Sequence, residues 1–194
     1  LGHRRRHRDR LNHLRDCLMD YTRDALDVPR GALISALLRH AGNPQEGNST
    51  FLLKNLWDLV GDRRYYVLTE DNAKAFVEAV VEPEPWIADV CDCDSKTTCA
   101  GADMVRAALD LGWQYGLAAL WLNYTSQTLG LPHKPGDRMA GYHQAPLVFV
   151  RRGDDIVPRV VQPPHRDENG GIRGAVWQDP ADEVRYWVVA GGLT

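Results

Sequence analysis

The chain has 194 residues, 25% of them charged and 44% hydrophobic, with a formal net charge of -3, which argues against disorder over most of its length and against a general nucleic-acid binder. Its length suits one continuous core. No apolar run approaches the roughly 20 residues needed to span a bilayer, so the expectation is a cytoplasmic protein with no membrane partner.

The first ten residues crowd Arg4, Arg5, Arg6, Arg8 and Arg10 together. This arm reads as a solvated helix start, or as a contact for phosphate or an acidic partner. Leu11, Leu14, Leu18, Tyr21 and Leu26 then recur at helical spacing and predict an amphipathic helix over 7–26, with Asp16, Asp20, Asp24 and Asp27 on its ion-paired, solvated face. Pro29 suits the first turn of a second helix over 30–40, stopped by Gly42, Asn43 and Pro44. Residues 42–48 read as a loop. Ser49 or Thr50 caps a third helix through Phe51, Leu56, Trp57 and Val60, ended by Gly61.

Arg64 to Leu68 is β-branched and aromatic and predicts a strand, followed by a helix over 71–81 that Pro83 and Pro85 close. A long helix is expected over 94–111, ending at Gly112, which puts Cys93 at a helix N-terminus. Residues 115–124 fit strand or helix equally. Leu147–Val150 and Ile156–Val161 predict a hairpin turning at Gly153 and Asp154, residues 162–173 a polar loop or flap, and Val184–Ala190 a last strand. Gly191, Gly192 and Leu193 raise the possibility of a processing site. Trp86 and Trp177, expected in loops, are candidates to line a cleft.

Chemistry concentrates at Cys91, Cys93 and Cys99. Four cysteines are too few for a disulfide scaffold in a chain this long, and three within nine residues point to a local site and a reducing compartment. A thiol in a helix's first turn gains from the amides and positive potential there, which favour the thiolate. Asp92 and Asp94 oppose it, so a partner base is required. An alternative is a structural zinc held by Cys91, Cys93, Cys99 and either His143 or His133, although a single residue between two ligands is an uncommon spacing. Incidental buried thiols are a third reading.

Asp92, Cys93, Asp94, Ser95 and Lys96, leading into an apolar helix that ends at Gly112, resemble the nucleophile segment of transglutaminase-like (papain-like) cysteine proteases. Leu56 to Tyr66 is similar to the helix and short strand before that segment. Tyr142 and His143, followed by apolar strand residues, a glycine turn and Ile156, Val157 and Pro158, are similar to the family's histidine strand and the strand after it. The resemblance spans roughly residues 56–162. It implies an α+β fold with an N-terminal helical layer, a central helix bearing the cysteine and an antiparallel β-sheet, divided into a helical extension over 1–48 and a catalytic domain over 49–194. It also implies a hydrolase or acyl transferase acting on a protein or peptide, with Cys93 as nucleophile and His143 as base, and no cofactor. The chain departs from the pattern at the third position: where the family has an acid, the sequence runs Arg159, Val160, Val161, Gln162. Gln162 is the candidate to orient the imidazole through its amide. His165, beside Asp167 and Glu168, is a possible back-up base. The rival expectation is a degenerate or non-enzymatic interaction module, for example a viral or host-interaction protein.

Overall fold

The computed structural model describes residues 20–40, 63–85, 93–125, 142–167, 169–178 and 188–192, with backbone alone for 93–94, 120–125, 142–143 and 188–192. The helix expected over 51–60, the loop over 42–48, Trp86, Cys91, His133 and Leu193 lie outside these residues.

The chain enters through a turn at Tyr21–Asp24 and a short strand β1 (Leu26–Pro29), where the leucine spacing predicts the end of a helix. Local polar chemistry outweighs that spacing. The Asp20 carboxylate accepts from the Thr22 amide at 3.1 Å and the Thr22 hydroxyl at 2.7 Å, and Asp24 turns the chain at a φ of 63°. Short Asp side chains of this kind tolerate the left-handed region and break helices. Asp27 then accepts from the Arg64 guanidinium at 2.6 Å across the β1–β2 pair, so it is no part of a helical carboxylate face.

Helix α1 (Arg30–His40) follows Pro29 directly and buries Leu33, Ile34, Ala36 and Leu37, one stripe at helical spacing. Strand β2 (Arg64–Thr69) runs into helix α2 (Glu70–Val80), which is capped by the Thr69 hydroxyl accepting from the Asn72 amide at 3.3 Å. Glu70 and Asp71 in its first turn suit the positive end of the helix. Two residues, Glu84 and Pro85, form β3. Helix α3 (Cys93–Asp110) ends as the glycine predicts: Gly112 sits at a φ of 73°, its amide donates to the Leu109 carbonyl, and the Trp113 amide donates to that of Ala108.

The 115–124 ambiguity resolves into β4 (Ala119–Thr125), an antiparallel neighbour of the long strand β5 (Tyr142–Arg152). Strand β6 (Asp155–Gln162) returns from β5 across the predicted Gly153–Asp154 turn. The expected 162–173 loop instead carries β7 (His165–Arg166) and β8 (Ile172–Arg173), which join β3 in a three-stranded sheet. Its turn is ordered by Asp167, whose carboxylate accepts from the Asn169 and Gly171 amides. Strand β9 (Val176–Gln178) pairs with β6, and β10 (Val188–Gly192) pairs with β4, so Gly191 and Gly192 belong to a strand.

The result is a mixed α+β fold. Seven strands, in the path β1-β2-β5-β4-β10 with β6 branching from β5 and β9 pairing with β6, form the main sheet among the described residues. It is mostly antiparallel, but β2 runs parallel to β5 at Leu68–Thr69, a pairing the expectation of a purely antiparallel sheet leaves out. The alternation of β5 divides the core. Ala145, Leu147 and Phe149 pack with Val160 against α1, while Val148 and Val150 pack with Val157 and Val161 against α2 and α3.

Candidate active site

Cys93 opens α3, so it occupies the first-turn position the sequence predicts. One turn later Thr97, fully buried, donates its hydroxyl to the Gln144 carbonyl at 3.0 Å. This bond ties the start of the helix to the start of β5, immediately beside position 143. The β5–β6 pairing runs from Arg152↔Asp155 to Leu147↔Val160, so β6 is antiparallel and its last residue, Gln162, lies at the same end of the sheet as the first residues of β5. The backbone positions of Cys93, His143 and Gln162 therefore gather at one end of the helix-on-sheet layer.

By strand alternation, Gln162 goes with Val160 on the α1 side of the sheet. The positions turned toward α2 and α3 are 144, 148 and 150. Gln144 is 6% exposed, and with Lys96 and Thr97 it makes a buried polar group at the first turns of α3. Spacing from Cys93 is the sequence signal for Thr97, which stands four residues on along the same helical face. Gln144 carries no such signal, because a glutamine next to a histidine says nothing until the register of β5 is known.

The zinc alternative is constrained by the same helix. Cys93 and Cys99 are six residues apart in α3, about 9 Å along its axis, whereas zinc holds each sulfur at about 2.3 Å. Cys99 is exposed. Among the described residues no group of three metal-ligating side chains is assembled, and Cys91 and His133 lie outside them.

At the third position Arg159 is buried, donating to the Trp177 carbonyl at 3.0 Å and lying 3.8 Å from Glu70. Glu70 is also held by Arg152 at 2.8 Å and Lys74 at 3.0 Å. The Arg152 hydrogen bond, helped by Lys74 and opposed by desolvation, lowers its pKa from 4.5 to about 2. This carboxylate is a fixed anion at the Arg152 end of β5, the end opposite His143, and it supplies no acid to the candidate site. Asp155, in the hairpin, pairs with Arg39 at 2.7 Å and His40 at 3.1 Å and sits at that far end too. Trp177 packs into the core beside Ala175. His165 pairs in register with Glu84 on the small sheet.

A pocket of about 250 Å³ lies at the other end of α3, walled by Met104, Val105, Ala108, Leu109, Trp113, Tyr115 and Leu117. No motif in the sequence announced it. Most of its wall is apolar, and Leu109 is 72% exposed. Among the described residues no helix is long and apolar enough to cross a membrane. No family model, no curated protein and no solved structure matches the chain.

Proposed function

We propose that the chain is a thiol-dependent acyl hydrolase or transferase with a protein or peptide substrate, in which Cys93 is the nucleophile, His143 the base and Gln162 the group that orients it. One observation supports this reading above the others: the three backbone positions converge at one end of the layer, drawn together by the Thr97–Gln144 bond and the antiparallel β5–β6 pair. In the reaction, the Cys93 proton passes to the His143 imidazole and the thiolate forms a C–S bond to the acyl carbon. Amides of the first turn of α3 stabilise the oxyanion. As the C–N bond breaks, the imidazolium returns its proton to the leaving amine. Water then cleaves the thioester to an acid, or a second amine cleaves it to a new amide. A reducing, cytoplasmic setting suits the thiol.

The test is alkylation of the intact chain with dilute iodoacetamide near neutral pH. The reading expects Cys93 to react first and His143→Ala to slow it. Equal rates in the two proteins would end it.

A second reading, a catalytically degenerate or non-enzymatic interaction module, is favoured by the alternation that sets Gln162 with Val160 on the α1 side and by the open apolar pocket. It expects Cys93 to react no faster than an ordinary thiol. A structural zinc belongs with this reading, and metal analysis of the purified chain tests it: about one equivalent is expected if the ion is present.

A further inference from the structure

We infer that Asn169 is a site of self-modification, converting to aspartate and isoaspartate through attack by the Gly170 amide nitrogen, and that Asp167 holds the turn in which this reaction is slow. The sequence singles out the pair: of the chain's asparagines, Asn169 alone is followed by glycine. A residue without a Cβ leaves its own nitrogen unhindered as a nucleophile. Both residues are exposed, and among the described residues nothing bonds the Asn169 side-chain amide.

The reaction needs only water. The Gly170 nitrogen gives its proton to solvent and forms a C–N bond to Asn169 Cγ, and the bond from Cγ to Nδ2 breaks with release of ammonia. Water then opens the cyclic imide at either carbonyl. One opening gives aspartate and the other isoaspartate, in which the main chain runs through the former side chain.

The fold holds the attacking nitrogen in another bond. Gly170, at a φ of 78°, donates its amide to the Asp167 carbonyl at 2.9 Å, and the Asp167 amide donates to the Gly171 carbonyl at 2.9 Å. The Asp167 carboxylate accepts from the Asn169 amide at 3.0 Å, the Gly171 amide at 2.8 Å and Arg173 Nε at 3.2 Å. These contacts fix the backbone on both sides of the reacting bond, so attack waits for the turn to open. Conversion then undoes the turn. A new carboxylate at 169 stands two residues from that of Asp167, and isoaspartate lengthens the main chain between β7 and β8.

The test is incubation of the full chain in mildly alkaline buffer, with conversion at 169 read by peptide mass and isoaspartate by chromatographic separation of the peptides. In urea, Asn169 is expected to convert ahead of the other asparagines, and at the same rate in the parent and in Asp167→Ala. In the folded parent it is expected to convert at least about tenfold more slowly than in urea, and Asp167→Ala, with unchanged far-ultraviolet circular dichroism, to recover most of that factor. Asp167→Ser, whose hydroxyl also accepts from the turn amides, is expected to fall between the two. Equal rates in the folded parent and folded Asp167→Ala would overturn the inference. So would a rate in Asp167→Ala that exceeds the parent's in urea as much as in the folded state, which would place the effect in the local sequence and not in the turn.

Discussion

The two faces of the main sheet are built differently. On the α1 side, Leu33, Ile34 and Leu37 meet Ala145, Leu147, Phe149 and Val160 in an aliphatic layer whose only described rings are Tyr65 and Phe149. On the α2–α3 side the core holds the rings of Tyr21, Phe76 and Trp113, adjoins the buried polar Lys96, Thr97 and Gln144 at one end of α3, and opens into a pocket at the other. The face shared by two helices carries buried polar groups at one end of α3 and a pocket at the other.

This difference can be broken from either side. The largest effects are expected from truncating the deepest side chains. Phe76→Ala should cost about 3–5 kcal/mol and Leu37→Ala about 2–5 kcal/mol in urea-melt stability. Both side chains are fully buried. The two should part in function: Phe76→Ala, which removes the support under Trp113, should alter the pocket, while Leu37→Ala should leave the pocket and Cys93 reactivity as they were. Equal disturbance of the pocket by both would mean the faces are not separable.

Next in size is Thr97→Val, which keeps the shape but leaves the Gln144 carbonyl without its hydroxyl donor. The expected cost is about 1–3 kcal/mol. If the start of α3 is held in place for chemistry, alkylation of Cys93 should slow in this variant under conditions where it remains folded. A change in stability alone would give Thr97 a purely structural role.

The smallest effect concerns Glu70, held by Arg152 and Lys74. Its pKa is depressed in the folded chain to about 2, from an ordinary 4.5. Its contribution to stability is therefore complete above the ordinary value and is lost as pH falls through that window toward 2. Glu70→Gln should flatten the pH dependence of the urea midpoint between those values and leave Cys93 alkylation at neutral pH unchanged. A pH dependence identical to that of the parent chain would show that the Arg152 and Lys74 contacts do not act on folding.

Much of the frame was legible in the sequence because local chemistry decides it. Gly112 stops α3, Gly153 and Asp154 turn the β5–β6 hairpin, and the stripe of α1 reads directly from Leu33, Ile34 and Leu37. What was hidden depended on partners distant in the chain. The expected helix through Leu26 yields to a turn and β1 because Asp20 and Asp24 redirect the chain and β2 offers an edge. The expected flap is ordered because β3 lies beside β7. At the candidate site, the sequence identifies Cys93 as a helix opener but not that Gln144 is buried beside the first turns of α3. That depends on the register of β5, and a one-residue step reverses it.

Reactivity of the Cys93 thiol, compared with the exposed Cys99 in the same helix, tests the central claim most directly. Both are mapped by peptide mass after brief alkylation of the intact chain near neutral pH. The account predicts that Cys93 is modified ahead of Cys99 and that His143→Ala removes the advantage, an effect of at least about tenfold in rate. Modification that simply follows exposure, with Cys99 first and His143→Ala without effect, would contradict it.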